Sequence, residues 1–199
     1  MVEDSNKLIL EIKDYAVVNN VPIMSDEGIN FLSEYILKNK TFRILEVGTA
    51  IGYSTIMMAL LNENITITSI ERDEKRYLEA IKNIKKFKLE DRVRLIYKDA
   101  LDVKLDDKYD LVFIDAAKAQ NIKFFEFFEK NLVSYGTIIT DNMNFHGFLD
   151  KRNDEIVSRN LRALVRKLRN YHEWLKANTK YDTNFYEIGD GIAVSVKKF

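Results

Sequence analysis

Two apolar runs of the sequence each end in an acidic residue, and together they predict a metal site. The run over residues 109–114 is followed by Asp115, and the run over residues 136–140 is followed by Asp141 and Asn142. Both runs have the length and β-branched content of buried parallel strands. Ligands of open α/β sheets bind beyond the carboxyl ends of such strands. Two carboxylates and an amide at that edge supply the hard oxygen donors that suit a divalent cation such as Mg2+.

A second chemical signal is the turn that follows the predicted strand at residues 43–48. Gly48 and Gly52 are four residues apart, and a helical pattern begins after them. Glycine lets a ligand approach the backbone, and the helix N-terminus offers N–H groups to an anion, although an ordinary tight turn would also use glycine. The spacing is neither the dinucleotide fingerprint nor a P-loop. Glu46 and Glu71, the latter placed where an acid meets ribose hydroxyls, favour S-adenosylmethionine.

Short β-rich runs alternate with longer helical patterns along the chain, which predicts parallel βαβ units with helices on both faces of the sheet. The turn Gly189-Asp190-Gly191 predicts a terminal hairpin and hence an antiparallel last strand. We therefore expect one domain over residues 1–199, with a mostly parallel seven-stranded sheet. Helices are predicted at residues 5–19, 26–38, 53–62, 73–87, 119–132 and about 153–177, and strands at 43–48, 65–70, 92–97, 110–115, 136–141, 183–188 and 191–198.

Composition narrows the class of protein. The chain has 199 residues, with 31 basic and 31 acidic side chains, so only a local patch can favour a polyanion. It has no cysteine, which excludes disulfides, thiolate metal sites and cysteine nucleophiles. The first residues are charged, and no run approaches the ~18 apolar residues of a membrane span. We expect a soluble cytoplasmic protein with no membrane partner.

Four stretches together resemble the cation-dependent O-methyltransferases, a family that includes catechol and caffeoyl-CoA O-methyltransferases. They are residues 46–54, 70–73, 113–118 and 140–142, and their order and spacing match over nearly the whole chain. Residues 21–24, 70–74 and the tail from Tyr181 to Ser195 are most similar to the bacterial tRNA 5-hydroxyuridine methyltransferases. The resemblance implies the Rossmann-like class I S-adenosylmethionine-dependent methyltransferase fold, with S-adenosylmethionine and Mg2+ (or Mn2+) as cofactors.

The resemblance also implies roles for individual residues in cofactor binding. Ser54 would hold the carboxylate of the cofactor's methionine part, which Gly48 would line. Glu71 would bind the ribose hydroxyls, and Asp99 and Ala100 would border the adenine. Met24 would cover the cofactor from the N-terminal helical segment, residues 1–40. The full implied set is Met24, Glu46, Gly48, Ser54, Glu71, Asp99, Ala100 and Asp115.

The resemblance gives the metal ligands as Asp115, Asp141 and Asn142, and the catalytic residues as Asp115 and Lys118. A bound cation favours the deprotonated form of a substrate hydroxyl and fixes its position. Three protein ligands leave room for a chelating pair of substrate oxygens. Lys118 would accept the proton, or would only pair with the carboxylates. The structural alternatives are a helix cap at Asp115 and a turn at Asp141 and Asn142.

The long predicted helix carries four arginines in a narrow stripe, Arg159, Arg162, Arg166 and Arg169. Arginine pairs well with phosphate, so we interpret the stripe as an RNA-binding face, with a solvated helix surface as the alternative. The main hypothesis is methylation of 5-hydroxyuridine in the tRNA anticodon loop to 5-methoxyuridine. The alternatives are methylation of a small catechol-like metabolite and a non-catalytic RNA-binding module.

Relatives in this family are commonly dimers, so we expect a homodimer. Of the two histidines, His146 is expected in a solvated loop, with substrate contact as the alternative, and His172 is expected to be structural.

Overall fold

The computed structural model describes residues 2–145, 147–149, 151–152 and 154–199, with the backbone alone for residues 2–4. His146 therefore lies outside the described residues. The helices are α1 (Val2–Val18), α2 (Asp26–Lys38), α3 (Tyr53–Leu60), α4 (Glu74–Lys86), α5 (Asn121–Phe128) and α6 (Arg159–Ala177). The strands are β1 (Arg43–Val47), β2 (Thr66–Glu71), β3 (Val93–Tyr97), β4 (Tyr109–Ile114), β5 (Leu132–Asp141), β6 (Tyr181–Tyr186) and β7 (Ile192–Lys197).

The strands form a seven-stranded mixed sheet, and the chain divides into two compact units, residues 1–104 and 105–199. In the first unit the strand order is β3-β2-β1, and all three strands are parallel. The register pairs Val47 with Ile70, so β1 and β2 end at the same level. Strands β1 and β2 are buried along most of their length, whereas β3, at the edge of the sheet, is buried only at Val93.

In the second unit the order is β4-β5-β7-β6. Strands β4 and β5 are parallel, whereas β7 runs antiparallel to both β5 and β6. The predicted terminal hairpin and antiparallel last strand are therefore confirmed. The prediction of a single domain stays a prediction, because the contacts within the chain separate two units.

Three predicted boundaries differ most from the structure. The helix expected from about residue 153 begins at Arg159, because the Ser158 side chain accepts from the Leu161 N–H and fixes the start there. The helix predicted at 119–132 is α5 flanked by short 3-10 turns, and β5 begins at Leu132.

In the described residues, no helix is both long enough and apolar enough to cross a membrane.

Candidate functional site

Glu71 ends β2 with its carboxylate held by backbone N–H groups. Its Oε2 accepts from the Ala50 N–H at 2.8 Å, and its Oε1 accepts from Arg72 and Asp73 at 2.9 and 2.8 Å. The residue is only 7% exposed. Carboxylate oxygens have more acceptor sites than these contacts use, so the group is preset to accept further hydroxyl donors. This geometry suits the predicted ribose contact.

The turn after β1 has the backbone that the glycine pattern predicted. Gly48 has φ 105° and Gly52 has φ 86°, both in the left-handed region that favours glycine. Gly52 directly precedes α3, whose first N–H groups have no acceptor within the helix. This end of α3 therefore offers donors to an anionic group of a ligand.

Glu46 is fully buried beneath this turn and is surrounded by hydroxyls. Its Oε1 accepts from Ser54 Oγ at 2.5 Å, and its Oε2 accepts from Ser69 Oγ at 2.5 Å and from Thr55. Buried charge needs such partners. The Ser54 hydroxyl donates its hydrogen to Glu46, so the Ser54 backbone N–H is the donor that suits a cofactor carboxylate. Glu46 itself therefore links the start of α3 to β2.

Of the remaining predicted cofactor residues, Met24, Asp99 and Ala100 lie in the same unit, whereas Asp115 lies in the second unit. Met24 is 6% exposed and packs against Gly28, where an added Cβ would lie 2.9 Å from Met24 Cε. Asp99 caps a short 3-10 turn by accepting from the Leu101 N–H at 3.1 Å. The adjacent Ala100 is buried. The roles of these residues stay predictions.

One group in the first unit was missed by sequence reasoning. Asp26 Oδ1 lies 2.5 Å from Lys13 Nζ and accepts from Tyr53 Oη at 3.3 Å. The Lys13 contact lowers the pKa of Asp26, and burial raises the pKa of Tyr53. The three side chains join α1 and α2 to the first residue of α3. They are too far apart in sequence for a local pattern to show the contact.

The predicted metal ligands meet in the second unit. Asn142 Nδ2 donates to Asp141 Oδ2 at 2.7 Å and to Asp115 Oδ1 at 3.3 Å. Asn142 has φ 61°, a left-handed conformation that asparagine tolerates better than most residues. The amide therefore bridges the two carboxyl groups.

The electrostatics of this cluster favour an added positive charge. Burial raises the pKa of Asp115. Burial, and then the Asp115 carboxylate, raise the pKa of Asp141 to about 7. The positive charge of Lys118 lowers the pKa of both groups. A cation held by Asp115 and Asp141 would stabilise both ionised forms more strongly, because its charge is larger than that of an ammonium group.

The residues present fit a hard cation. No group of three or more His, Cys, Asp or Glu side chains suited to a metal occurs in the described parts of the chain. The cluster instead combines two carboxylates with an amide, whose oxygen would face a cation after rotation of the side chain. That donor set suits Mg2+ and leaves coordination positions for substrate oxygens and water.

Lys118 begins the short 3-10 turn before α5 and is partly exposed. Its Nζ lies 5.6 Å from the centre of the Phe145 ring. Its effect on the pKa of both carboxyl groups places its charge near the cluster. This placement is compatible with both predicted roles, proton acceptor and partner of the carboxylates.

The four arginines predicted to contact RNA divide into two pairs. Arg159 and Arg166 are exposed on α6. Arg162 and Arg169 are partly buried, and both donate hydrogen bonds to backbone carbonyls of the segment before α6. The stripe is therefore not a uniform solvent-facing surface. His172, also on α6, stacks on Phe185 with ring centres 4.6 Å apart, which agrees with a structural role.

Comparisons with known proteins agree with this arrangement. A family model described as O-methyltransferase matches residues 2–198. The caffeoyl-CoA O-methyltransferase of Populus kitakamiensis is 28% identical over 190 residues, covering 92% of this chain and 80% of the relative. The catechol O-methyltransferase of Niastella koreensis is 32% identical over 169 residues, covering 78% and 73% of the two chains.

Solved structures extend the likeness to the fold. A candidate caffeoyl-CoA O-methyltransferase from Staphylococcus aureus is 41% identical with TM-score 0.90, covering 95% of this chain and 91% of that one. The O-methyltransferase from Bacillus cereus in complex with SAH is 26% identical with TM-score 0.82, covering 96% and 91%. The predicted class I methyltransferase fold is confirmed, and an enzyme is favoured over a non-catalytic module. The chain belongs to the O-methyltransferase family and is an S-adenosylmethionine-dependent O-methyltransferase.

Proposed function

We propose that this enzyme is Mg2+-dependent and methylates 5-hydroxyuridine in the anticodon loop of tRNA to 5-methoxyuridine. The observation that carries the metal part is the cluster in which the Asn142 amide lies 2.7 Å from Asp141 and 3.3 Å from Asp115. A pair of adjacent oxygens, such as O4 and O5 of 5-hydroxyuridine, suits the coordination positions that three protein ligands leave open.

The chain's own residues divide the work of the reaction. Glu71 would accept from the ribose hydroxyls of S-adenosylmethionine, and the first turn of α3 would donate to the carboxylate of its methionine part. Asp115, Asp141 and Asn142 would hold the cation, which when bound favours the deprotonated hydroxyl. Lys118 Nζ, after releasing its own proton to solvent, accepts the hydroxyl proton. The substrate oxygen then forms a bond to the methyl carbon while the carbon–sulfur bond breaks, and its electron pair stays on sulfur.

The support for an RNA substrate is the exposed pair Arg159 and Arg166 on α6. They lie two helical turns apart, so their guanidinium groups share one face of the helix. Arginine binds phosphate in a planar, bidentate manner, and phosphate contacts dominate nucleic-acid affinity. An anticodon loop presents unstacked bases, which an enzyme can reach without opening a duplex.

The second candidate is methylation of a small catechol-like metabolite. It is supported by the names of relatives, the caffeoyl-CoA enzyme of Populus kitakamiensis and the catechol enzyme of Niastella koreensis. A catechol presents the same pair of adjacent oxygens to a cation. The chemistry at the metal cluster therefore suits both substrates equally. The choice between them depends on the surrounding surface.

Mass spectrometry of tRNA nucleosides from a strain lacking the gene separates the two candidates. We expect 5-hydroxyuridine to accumulate and 5-methoxyuridine to be absent. Reintroducing the intact gene should reverse both changes. Unchanged 5-methoxyuridine, together with turnover of a catechol by the purified enzyme, would favour the metabolite. Purified enzyme treated with a chelator should lose turnover and regain it with Mg2+, whichever substrate is correct.

A further inference from the structure

We propose that Arg162 and Arg169 are positioning residues that hold the segment between β5 and α6, directly after the candidate metal ligands. Their role is to fix the backbone of this segment next to the candidate metal ligands. They do not act by contacting RNA. The expected effect on turnover rests on the proposed function. The hydrogen bonds from the two arginines to the segment do not depend on that function.

The segment begins at Met143 and reaches Ser158, and its described residues contain no helix or strand. Turns such as Phe148 N–H to Phe145 O at 3.1 Å provide few hydrogen bonds within the segment. Backbone groups that no ladder satisfies need other partners. Five carbonyl groups of the described part of the segment, those of Met143, Leu149, Lys151, Ile156 and Val157, obtain them from side chains of α6.

Arg169 holds the middle of the segment. Its Nε and Nη2 donate to the Leu149 carbonyl at 3.0 and 2.9 Å, and Nη2 also donates to the Lys151 carbonyl. The fixed fork of the guanidinium makes such multiple bonding possible, which a lysine ammonium cannot reproduce with the same geometry. One side chain thus fixes carbonyls two residues apart.

Arg162 holds the end of the segment. Its Nη1 donates to the Ile156 carbonyl at 2.7 Å and to the Val157 carbonyl at 3.3 Å. Arg162 and Arg169 are seven residues apart, about two helical turns, so both project from one face of α6. The Ile156 side chain is 1% exposed, and its burial anchors the same stretch.

The start of the segment, next to Asn142, is held from two sides. His172 Nε2 lies 3.1 Å from the Met143 carbonyl. The Met143 N–H donates to the Gly191 carbonyl at 2.9 Å, and the Asn144 N–H donates to the Asp190 carbonyl at 2.7 Å. The segment is therefore fixed at its start, middle and end, and α6 contributes at all three places.

A lysine variant distinguishes positioning from phosphate binding. Lysine keeps the charge that attracts phosphate but loses the planar fork that the carbonyl contacts require. An RNA-contact role would tolerate Arg169→Lys better than Arg169→Gln. A positioning role would be damaged by both changes.

The experiment compares Arg169→Lys, Arg169→Gln and Arg162→Lys with Lys167→Gln, which removes a charge from an exposed position of α6. Limited trypsin digestion reports cleavage after Lys151 and Arg152, and electron paramagnetic resonance reports Mn2+ affinity. We expect cleavage about tenfold faster in the arginine variants and weaker Mn2+ binding, with Lys167→Gln unchanged. With catechol as substrate, kcat should fall about tenfold while S-adenosylmethionine affinity stays constant.

Wild-type cleavage and Mn2+ affinity in both Arg169 variants would overturn the proposal. Loss of tRNA turnover in Arg169→Gln, with turnover kept in Arg169→Lys and wild-type cleavage in both, would instead assign the side chain to RNA. Cleavage and Mn2+ binding are measured without any methyl acceptor. If the enzyme proves inactive on tRNA while cleavage accelerates as expected, the positioning role stands and only the tRNA substrate fails.

Discussion

At the scale of single residues, Asp115 and Asp141 are two acids whose pKa burial raises. The sequence predicted that both acids follow buried strands and converge, and the structure brings them together with Asn142. Sequence reasoning did not predict that the Asn142 amide would bridge them, because a side-chain rotamer depends on the surrounding backbone. The same holds for Glu46, whose hydroxyl partner Ser69 lies on another strand.

A residue-scale prediction follows from the pKa of Asp141, which is raised to about 7 in the native state. An aspartate in the unfolded chain titrates near 4. Between these values the native state binds more protons, so this carboxyl lowers the free energy of unfolding as the pH rises from about 4 to 7. We expect Mg2+ to restore stability, and to do so more strongly at pH 8 than at pH 5.

Urea unfolding of wild type and Asp141→Asn, with and without Mg2+, measures this effect. The variant should be more stable than wild type at pH 8 without Mg2+, should gain little from Mg2+, and should lose turnover by about 100-fold or more. Asp106→Asn, a change at an exposed acid of the same unit, serves as the control. Equal stabilisation of wild type by Mg2+ at both pH values would contradict the prediction.

At the scale of elements, the sequence predicted the strands and most helices well because short β-rich runs alternate with amphipathic patterns. The failures lie at boundaries that side-chain contacts decide. Ser158 sets the start of α6, and a bend at Tyr135, with φ 59°, lets β5 extend back to Leu132. The terminal hairpin was predicted from its glycines, but its contact with the segment after β5 was not.

That contact gives an element-scale prediction at Gly191. Its φ is +84°, and an added Cβ would lie 2.6 Å from the Asn144 backbone nitrogen. Because backbone atoms must move to relieve this clash, Gly191→Ala should lower the free energy of unfolding by about 2–4 kcal/mol. We also expect weaker Mg2+ binding, since Asn144 lies two residues after Asn142.

Gly147→Ala is the matched control. Its φ is also positive, at +73°, but apart from its chain neighbours no atom of the described residues lies within 4 Å of the added Cβ. It should therefore lower the free energy of unfolding by only about 1–2 kcal/mol, the strain of a left-handed residue. Calorimetric titration with Mg2+ and thermal unfolding measure both variants, and equal losses in the two would show that the Asn144 contact is unimportant.

At the scale of the whole molecule, the family and the cofactor were predictable because their motifs span nearly the entire chain. The substrate was not, because the basic and acidic side chains balance at 31 each and leave only a local patch. The tRNA partner and the homodimer stay predictions. The division of the α6 arginines refines the former, since only Arg159 and Arg166 are exposed.

The exposed pair gives a whole-molecule prediction about salt. The double variant Arg159→Glu with Arg166→Glu should lower kcat/KM for tRNA by about 100-fold and flatten its dependence on salt concentration. Turnover of catechol should be unchanged. Lys104→Glu with Lys123→Glu makes the same change in net charge at exposed positions elsewhere. A similar loss in that control would indicate general charge repulsion instead of a defined RNA face.

The bridging amide of Asn142 has a consequence for folding in the absence of a metal ion. Many small metal-binding domains cannot fold until their ion arrives, because nothing else satisfies the ligands. Here the Asn142 amide already supplies hydrogen bonds to both carboxyl groups. On the proposed Mg2+ dependence, we expect the chain to stay folded without the ion, so that a fall in cellular Mg2+ lowers turnover while the protein keeps its structure.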